Sequence, residues 1–104
     1  MILFKPYHIF PILIGQKTQT RRTWEKPRVK IGSIQKAKTA MISKAYFAQL
    51  RILAVYPQRL GDLTDQDAYE EGGYTLDGYK QAFQKIYGFW DDGLIVYVVK
   101  FEVI

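Results

Sequence analysis

The sequence predicts an α+β fold: a small, mostly antiparallel β-barrel with two or three short helices at its rim. Three observations predict it. The chain has 104 residues, 48% of them hydrophobic and 15% aromatic, which suits one domain over residues 1–104 with a core of its own. Periodicity places five extended segments and three helical ones along it, the strands too far apart for a simple meander and the helices too few for a doubly wound sheet. Cysteine is absent, so a disulfide framework, a Cys-ligated zinc and a thiol nucleophile are excluded.

Residues 2–4 are apolar and suit an edge strand. Pro6 to Ile14 reads as a helix with Pro6 in its first turn and Gly15 as its stop. Pro11 sits badly inside it, so the helix is kinked or starts only at Phe10. Lys17 to Arg22 is polar and Thr-rich, fit for an exposed or pocket-lining extended segment. Residues 23–33 hold Pro27 and Gly32 and read as a loop. Ile34 to Ile42 is a weakly amphipathic strand. Ala48 to Tyr56 is a stronger one, with Leu50, Ile52, Ala54 and Tyr56 on one face. Thr64 is placed to cap a short helix with Asp65 and Asp67 in its first turn, ended by Gly72-Gly73. Thr75 caps a second helix that runs to Tyr87, with Gly88 beyond. Its apolar face is Leu76, Tyr79, Phe83, Ile86 and Tyr87. Leu94 to Val99 is a continuous β-rich run that continues to Ile104, as expected of a central strand covered on both faces.

The net charge of +5 conceals an asymmetry. Residues 1–59 carry 12 of the 15 Lys and Arg and a single acid, Glu25, for a local sum of +11. Residues 60–104 carry three bases and nine acids, for −6. Either the two halves neutralise each other within one fold, or the positive half meets a polyanion such as nucleic acid. The N-terminal segment MILFKPYHIFPILIG is interrupted by Lys5, Pro6, His8 and Pro11 and lacks a secretory cleavage site. No stretch approaches the roughly 20 apolar residues of a membrane span. A soluble, cytoplasmic protein with no membrane partner is expected.

Few residues have the pattern of a reactive site. One histidine, His8, builds no metal centre without cysteine, and Ser33 and Ser43 lie in no nucleophile elbow. No Gly-rich phosphate loop is present, so neither a metal nor a cofactor is expected. The segment Gly15-Gln-Lys-Thr-Gln-Thr-Arg-Arg22 differs: it gathers Lys17, Arg21 and Arg22 with Thr18 and Thr20 behind a glycine. Cations suit phosphate or carboxylate, and a lysine whose pKa is lowered by neighbouring arginines can deprotonate a threonine. An edge strand with solvated charges is the plainer alternative.

That segment resembles the hallmark G-x-K-x-x-T-x-R of the ASCH domain family. Further resemblances follow in order: Val29–Gly32, the turn into the barrel; Arg51–Tyr56, a central strand; Leu63–Gly72, a helix of the form L-T-x-x-D-A-x-x-E-G; and Tyr97–Glu102, the closing strand. The resemblance implies a PUA-like β-barrel with a cleft lined by Lys17, Thr20, Arg22 and Glu71, and an association with RNA or modified nucleosides. Two functions follow from it. In a binding module, Lys17, Arg21, Arg22, Lys26, Arg28 and Lys30 hold phosphates, while Trp24 either stacks a base or packs against the barrel. In an amidohydrolase acting on N(4)-acetylcytidine, Thr20 is the nucleophile, Lys17 its base and Glu71 the acid, with Arg22 steadying the oxyanion. Three positions along a flat strand hold Lys17 and Thr20 about 10 Å apart on opposite faces. The dyad therefore needs a bend, or a Lys17 that precedes the strand. Gln19 and Arg21 stand where the amidohydrolase branch has apolar residues, which changes the charge of the cleft.

Overall fold

The computed structural model describes residues 1–104. Five strands, β1 (Ile2–Leu3), β2 (Gln19–Arg22), β3 (Ile34–Lys38), β4 (Ala48–Arg59) and β5 (Ile95–Val103), form one sheet in the spatial order β1-β3-β4-β5-β2. Only the β1–β3 pair is parallel. Three helices, α1 (Ile9–Leu13), α2 (Asp65–Glu70) and α3 (Leu76–Tyr87), accompany the sheet, with single 3₁₀ turns at Pro6–His8 and Leu60–Asp62. None is long and apolar enough to cross a membrane. The expected small, mostly antiparallel α+β fold is thus present, as a curled half-barrel rather than a closed one.

The β4–β5 hairpin is its spine. Leu53 is an extra residue in β4: Ile52 faces Phe101, but Ala54 already faces Lys100. Such a bulge bends a strand and raises its twist, which lets a long hairpin curl. Val98 and Val99, adjacent on β5, are both fully buried, so this strand is covered on both faces as expected. One apolar cluster joins Ile2, Phe4 and Ile12 to Leu50, Ile52, Val99 and Phe101. A second joins Leu60, Leu63 and Val96 to Ala68, Tyr79 and Phe83 under α2 and α3.

The curl brings the two unpaired edges, β1 and β2, to within one side chain of each other. Arg22 of β2 donates from Nη2 to the Leu3 carbonyl of β1 at 2.6 Å. Its guanidinium also lies 5.0 Å from the centre of the Phe4 ring. A side chain thus spans the seam that backbone pairing leaves open.

Local signals account for the helix ends. Thr64 and Asp67 form a reciprocal capping box, each side chain accepting the other's backbone N–H at 3.1 Å. Thr75 accepts from Gly78 N at 3.0 Å, and Gly88 ends α3 at φ 83°.

Three expectations are corrected. The segment 6–14 is not one helix. A 3₁₀ turn precedes the short α1, which places Pro11 third in α1, where an N–H has no acceptor within the helix. The strand from Ile34 stops at Lys38, and Met41 and Ile42 lie on the surface at 64% and 96% exposure. β4 continues past Tyr56 to Arg59, through Pro57. β3 pairs only with Ala48–Arg51, so the missing N–H of Pro57 costs no bond on that side.

After α2 the chain turns at Gly72 and Gly73, with φ of 146° and 80°. An L-residue at the second position costs about 1–2 kcal/mol. Gly73→Ala is expected to lower the melting temperature by roughly 5 °C. An unchanged thermal midpoint would show that the turn relaxes to negative φ without loss.

Candidate functional site

The site forms where the chain enters β2 and where α2 ends. Lys17 N donates to the Pro11 carbonyl and Thr18 N to the Glu70 carbonyl, at 2.9 and 2.8 Å, while the Thr18 carbonyl accepts from Phe101 N at 3.0 Å. These bonds hold Lys17 two residues ahead of β2, so the alternation of the strand does not govern its direction. Its side chain enters the same cleft as Thr20, with Nζ 5.9 Å from the centre of the Phe4 ring.

The Lys17 ammonium, only 2% exposed, has three acceptors for three protons. It donates to Glu71 O at 2.7 Å, Gln19 O at 3.0 Å and Glu71 Oε1 at 3.4 Å. The first of these carbonyls belongs to the residue that closes α2, where the helix dipole favours a cation. Glu71 Oε2 accepts from Arg21 Nη1 at 2.9 Å, so one buried carboxylate sits between two cations.

Alternation along β2 then sorts its four residues. Gln19 and Arg21 point towards α2 and β4. Arg21 Nη2 donates to Gln58 Oε1 at 2.9 Å and lies 3.3 Å from Asp67 Oδ2, and Gln19 Nε2 donates to Glu70 Oε2 at 2.6 Å. Thr20 and Arg22 face the cleft instead. Thr20 Oγ1, on a residue 5% exposed, accepts from Arg22 Nε at 3.1 Å. With that lone pair engaged, the hydroxyl proton is free to point into the cavity.

The cleft encloses about 410 Å3, within the range of small-molecule sites. Besides Lys17, Thr20, Arg22 and Glu71, its walls include Phe4, His8, Tyr74, Tyr79, Phe83 and Tyr87. Burial holds the Lys17 ammonium below the usual lysine range. Glu71 pulls it upward, while Arg22 and Arg21 push it further down. Burial raises the Tyr74 phenol, and raises Tyr79 well above the ordinary value with help from the Glu71 charge. Both phenols therefore stay protonated at neutral pH and offer donors.

The structure thus brings Lys17, Thr20, Arg22 and Glu71 to one cavity. Arg21 reaches the same wall, but its side chain has no exposed surface and its Nη atoms are fully engaged. Trp24, Lys26, Arg28 and Lys30 lie outside the cleft lining. Trp24 packs half-buried against the core, with the Arg28 guanidinium 6.0 Å from its ring centre, and the three cations are exposed. His8, Tyr74, Tyr79 and Tyr87 were not singled out by sequence reasoning as site residues. The tyrosines of α3 follow a helical spacing that reads as core, and only their hydroxyls distinguish a wetted wall from an apolar one.

Comparison with known proteins adds four findings. No family model matches the chain. It is 30% identical over 89 residues to the N(4)-acetylcytidine amidohydrolase of Serratia proteamaculans (strain 568), covering 86% of this chain and 85% of that protein. Its fold superposes on the crystal structure of an ASCH domain from Lactobacillus crispatus JV V101 with a TM-score of 0.77 at 15% identity, over 98% of this chain and 76% of that one. A protein from Enterococcus faecalis V583 superposes with a TM-score of 0.66, also at 15% identity, over 100% of this chain and 82% of that one.

The cleft also sets a pH dependence. Burial, with the charges of Lys17 and Arg22, lowers the His8 pKa from 6.5 to about 3. Between those values the unfolded chain binds the proton and the folded chain does not. This contribution to stability is complete above pH 6.5 and declines as pH falls towards 3. His8→Gln is expected to flatten the decline above about pH 5, before carboxylates titrate. Urea midpoints across that window test this, and identical pH slopes for the two proteins would refute it.

Proposed function

The chain belongs to the ASCH family, and from that premise we propose that it is an amidohydrolase, removing the acetyl group from the exocyclic nitrogen of a modified cytidine. The observation that carries the reading is a buried amine and a buried hydroxyl in one cavity. Lys17 is 2% exposed and Thr20 5% exposed, and burial lowers the Lys17 pKa from its ordinary value, which makes the neutral amine easier to reach. The name of the Serratia relative supports the same substrate class.

The proposed steps use groups that line one cavity. Neutral Lys17 keeps two protons, and the bond it gives up is the longest, 3.4 Å to Glu71 Oε1. Its lone pair takes the Thr20 proton as Thr20 Oγ1 attacks the acetyl carbonyl carbon. The carbonyl oxygen becomes an oxyanion, and Arg22 supplies positive charge beside the new bond. As the intermediate collapses, the bond from the acetyl carbon to the exocyclic nitrogen breaks and cytidine leaves. The nitrogen takes a proton that has a route from Lys17 through Glu71. Water then attacks the acetyl-threonine ester, Lys17 taking its proton and passing it to the departing Thr20 oxygen, and acetic acid leaves and ionises in solvent, with Thr20 and neutral Lys17 restored. Arg21 holds Glu71 Oε2, so Oε1 stays turned to Lys17.

Thr20→Ala and Lys17→Met are each expected to lower kcat/KM for N(4)-acetylcytidine by at least about 10³. For the parent protein, kcat/KM should rise with pH to a midpoint below the ordinary lysine value of 10.5. Chromatographic assay of cytidine release tests both expectations. Equal rates in the parent and both variants would eliminate the mechanism.

The exposed cations Lys26, Arg28 and Lys30, outside the cleft, favour a second reading in which the same surface also binds an RNA strand. Phosphate contacts release counterions, so each lost contact should reduce the salt slope by about 1. Binding of a single-stranded oligonucleotide that is unchanged between low and moderate salt would remove this reading.

A further inference from the structure

A second groove, of about 600 Å3, opens beside the cleft. It lies between the 3₁₀ turn at Pro6–His8 and α3, and its walls include Lys5, Tyr7, Tyr74, Gln81, Lys85 and Ile86. Lys5, Tyr74 and Ile86 belong to the walls of both cavities, so the two are continuous.

The cations of the two cavities are in opposite states. In the cleft, Lys17 and Arg21 are buried and already matched to carboxylates and carbonyls, and Arg22 is tied to Leu3 and Thr20. Lys17 and Arg21 thus have no free face for a dianion, and Arg22 keeps only Nη1 unbonded. In the groove, Lys5 and Lys85 are exposed and enter none of the ion pairs of the fold. No Asp or Glu lines the groove, although Lys85 comes from the half of the chain whose charge sums to −6. Two unmatched ammoniums in an acid-free hollow, with tyrosine hydroxyls and an amide beside them, form an environment for a phosphate group.

We propose that this groove is a phosphate subsite. The molecule whose base enters the cleft carries a phosphate on its ribose, and Lys5 and Lys85 hold that phosphate. The protein then acts on a nucleotide or an RNA strand in preference to a free nucleoside. The proposal rests on the reading of the cleft as a cytidine site, and its test is a binding measurement that needs no turnover.

Calorimetry with cytidine, cytidine 5′-monophosphate and cytidine 3′-monophosphate supplies that test. At 50 mM salt at least one monophosphate is expected to bind about tenfold more tightly than cytidine, as two charge-assisted contacts allow. Most of that advantage should vanish at 300 mM salt. It should fall to about unity in the double variant Lys5→Gln/Lys85→Gln, whose substitutions lie at exposed positions and leave the core intact. A trinucleotide with a central cytidine distinguishes the sources: tighter binding than either monophosphate identifies a strand, and equal binding a mononucleotide. Equal affinity for cytidine and both monophosphates, no binding of any of them, or an advantage that survives the double substitution overturns the proposal. A protein that prefers the monophosphate but releases no cytidine from N(4)-acetylcytidine keeps the subsite and loses the deacetylase reading.

Discussion

Lys17, Arg21 and Glu71 are packed together at the junction of β2 and the end of α2, each almost wholly removed from solvent. Charges in such a place are tolerated only when they are matched and hydrogen-bonded. The surrounding structure meets that condition from several directions. The end of α2 supplies a carbonyl to Lys17, the start of β2 supplies another, and Gln58 of β4 and Asp67 of α2 engage Arg21 Nη2, while Arg21 Nε stays buried without a partner. The glycine turn at 72–73 follows immediately after Glu71 and allows α3 to begin without pulling that carboxylate out of the cluster. The fold is thus organised around a pair of cations that share one carboxylate. Burial lowers the Lys17 pKa; Glu71 opposes that shift, and Arg22 and Arg21 add to it.

The second constraint is the open seam. A sheet that closed completely would pair β1 with β2 and fill the space between them with side chains. Here the edges are joined by Arg22 alone, and the cavity opens beside it. Arg22 therefore belongs to the fold and the site at once. Its Nη2 completes the seam while its Nε fixes the Thr20 oxygen. Loss of its side chain removes both, so a structural and a chemical defect are expected to arrive together at this position.

What the sequence revealed, and what it did not, follows the range of the interactions. The caps at Thr64, Thr75 and Gly88 were legible because each acts over three or four residues. The Lys17–Glu71 contact spans 54 positions, and nothing in spacing or periodicity reports it. It was anticipated only through the resemblance of two separated motifs to one family. Arg21 was grouped with Lys17 and Arg22 as a phosphate ligand because composition cannot tell a solvated guanidinium from one consumed by Gln19, Gln58, Asp67 and Glu71. The strand predicted through Ile42 failed for a related reason. Met41 and Ile42 are apolar yet exposed, and an apolar run alone does not say whether a partner strand is there to cover it.

The charge asymmetry of the chain can now be divided by location rather than by sum. The ion pairs that join its two halves, Lys17 and Arg21 to Glu71, Arg21 to Asp67, Arg51 to Glu102 and Arg59 to Asp62, show that neutralisation within the fold is real. It is also incomplete. The matched cations of the cleft, Lys17 and Arg21, are engaged by Glu71 and Asp67 and are not available to a new anion. The unmatched ones, Lys5, Lys26, Arg28, Lys30, Lys36, Lys44 and Lys85, remain exposed and free of ion pairs. Of those seven, the two that border a cavity continuous with the cleft are Lys5 and Lys85, and they are also the pair furthest apart in sequence. The excess of positive charge in the first half therefore overstates what is available to a phosphate, and burial decides which lysines and arginines count.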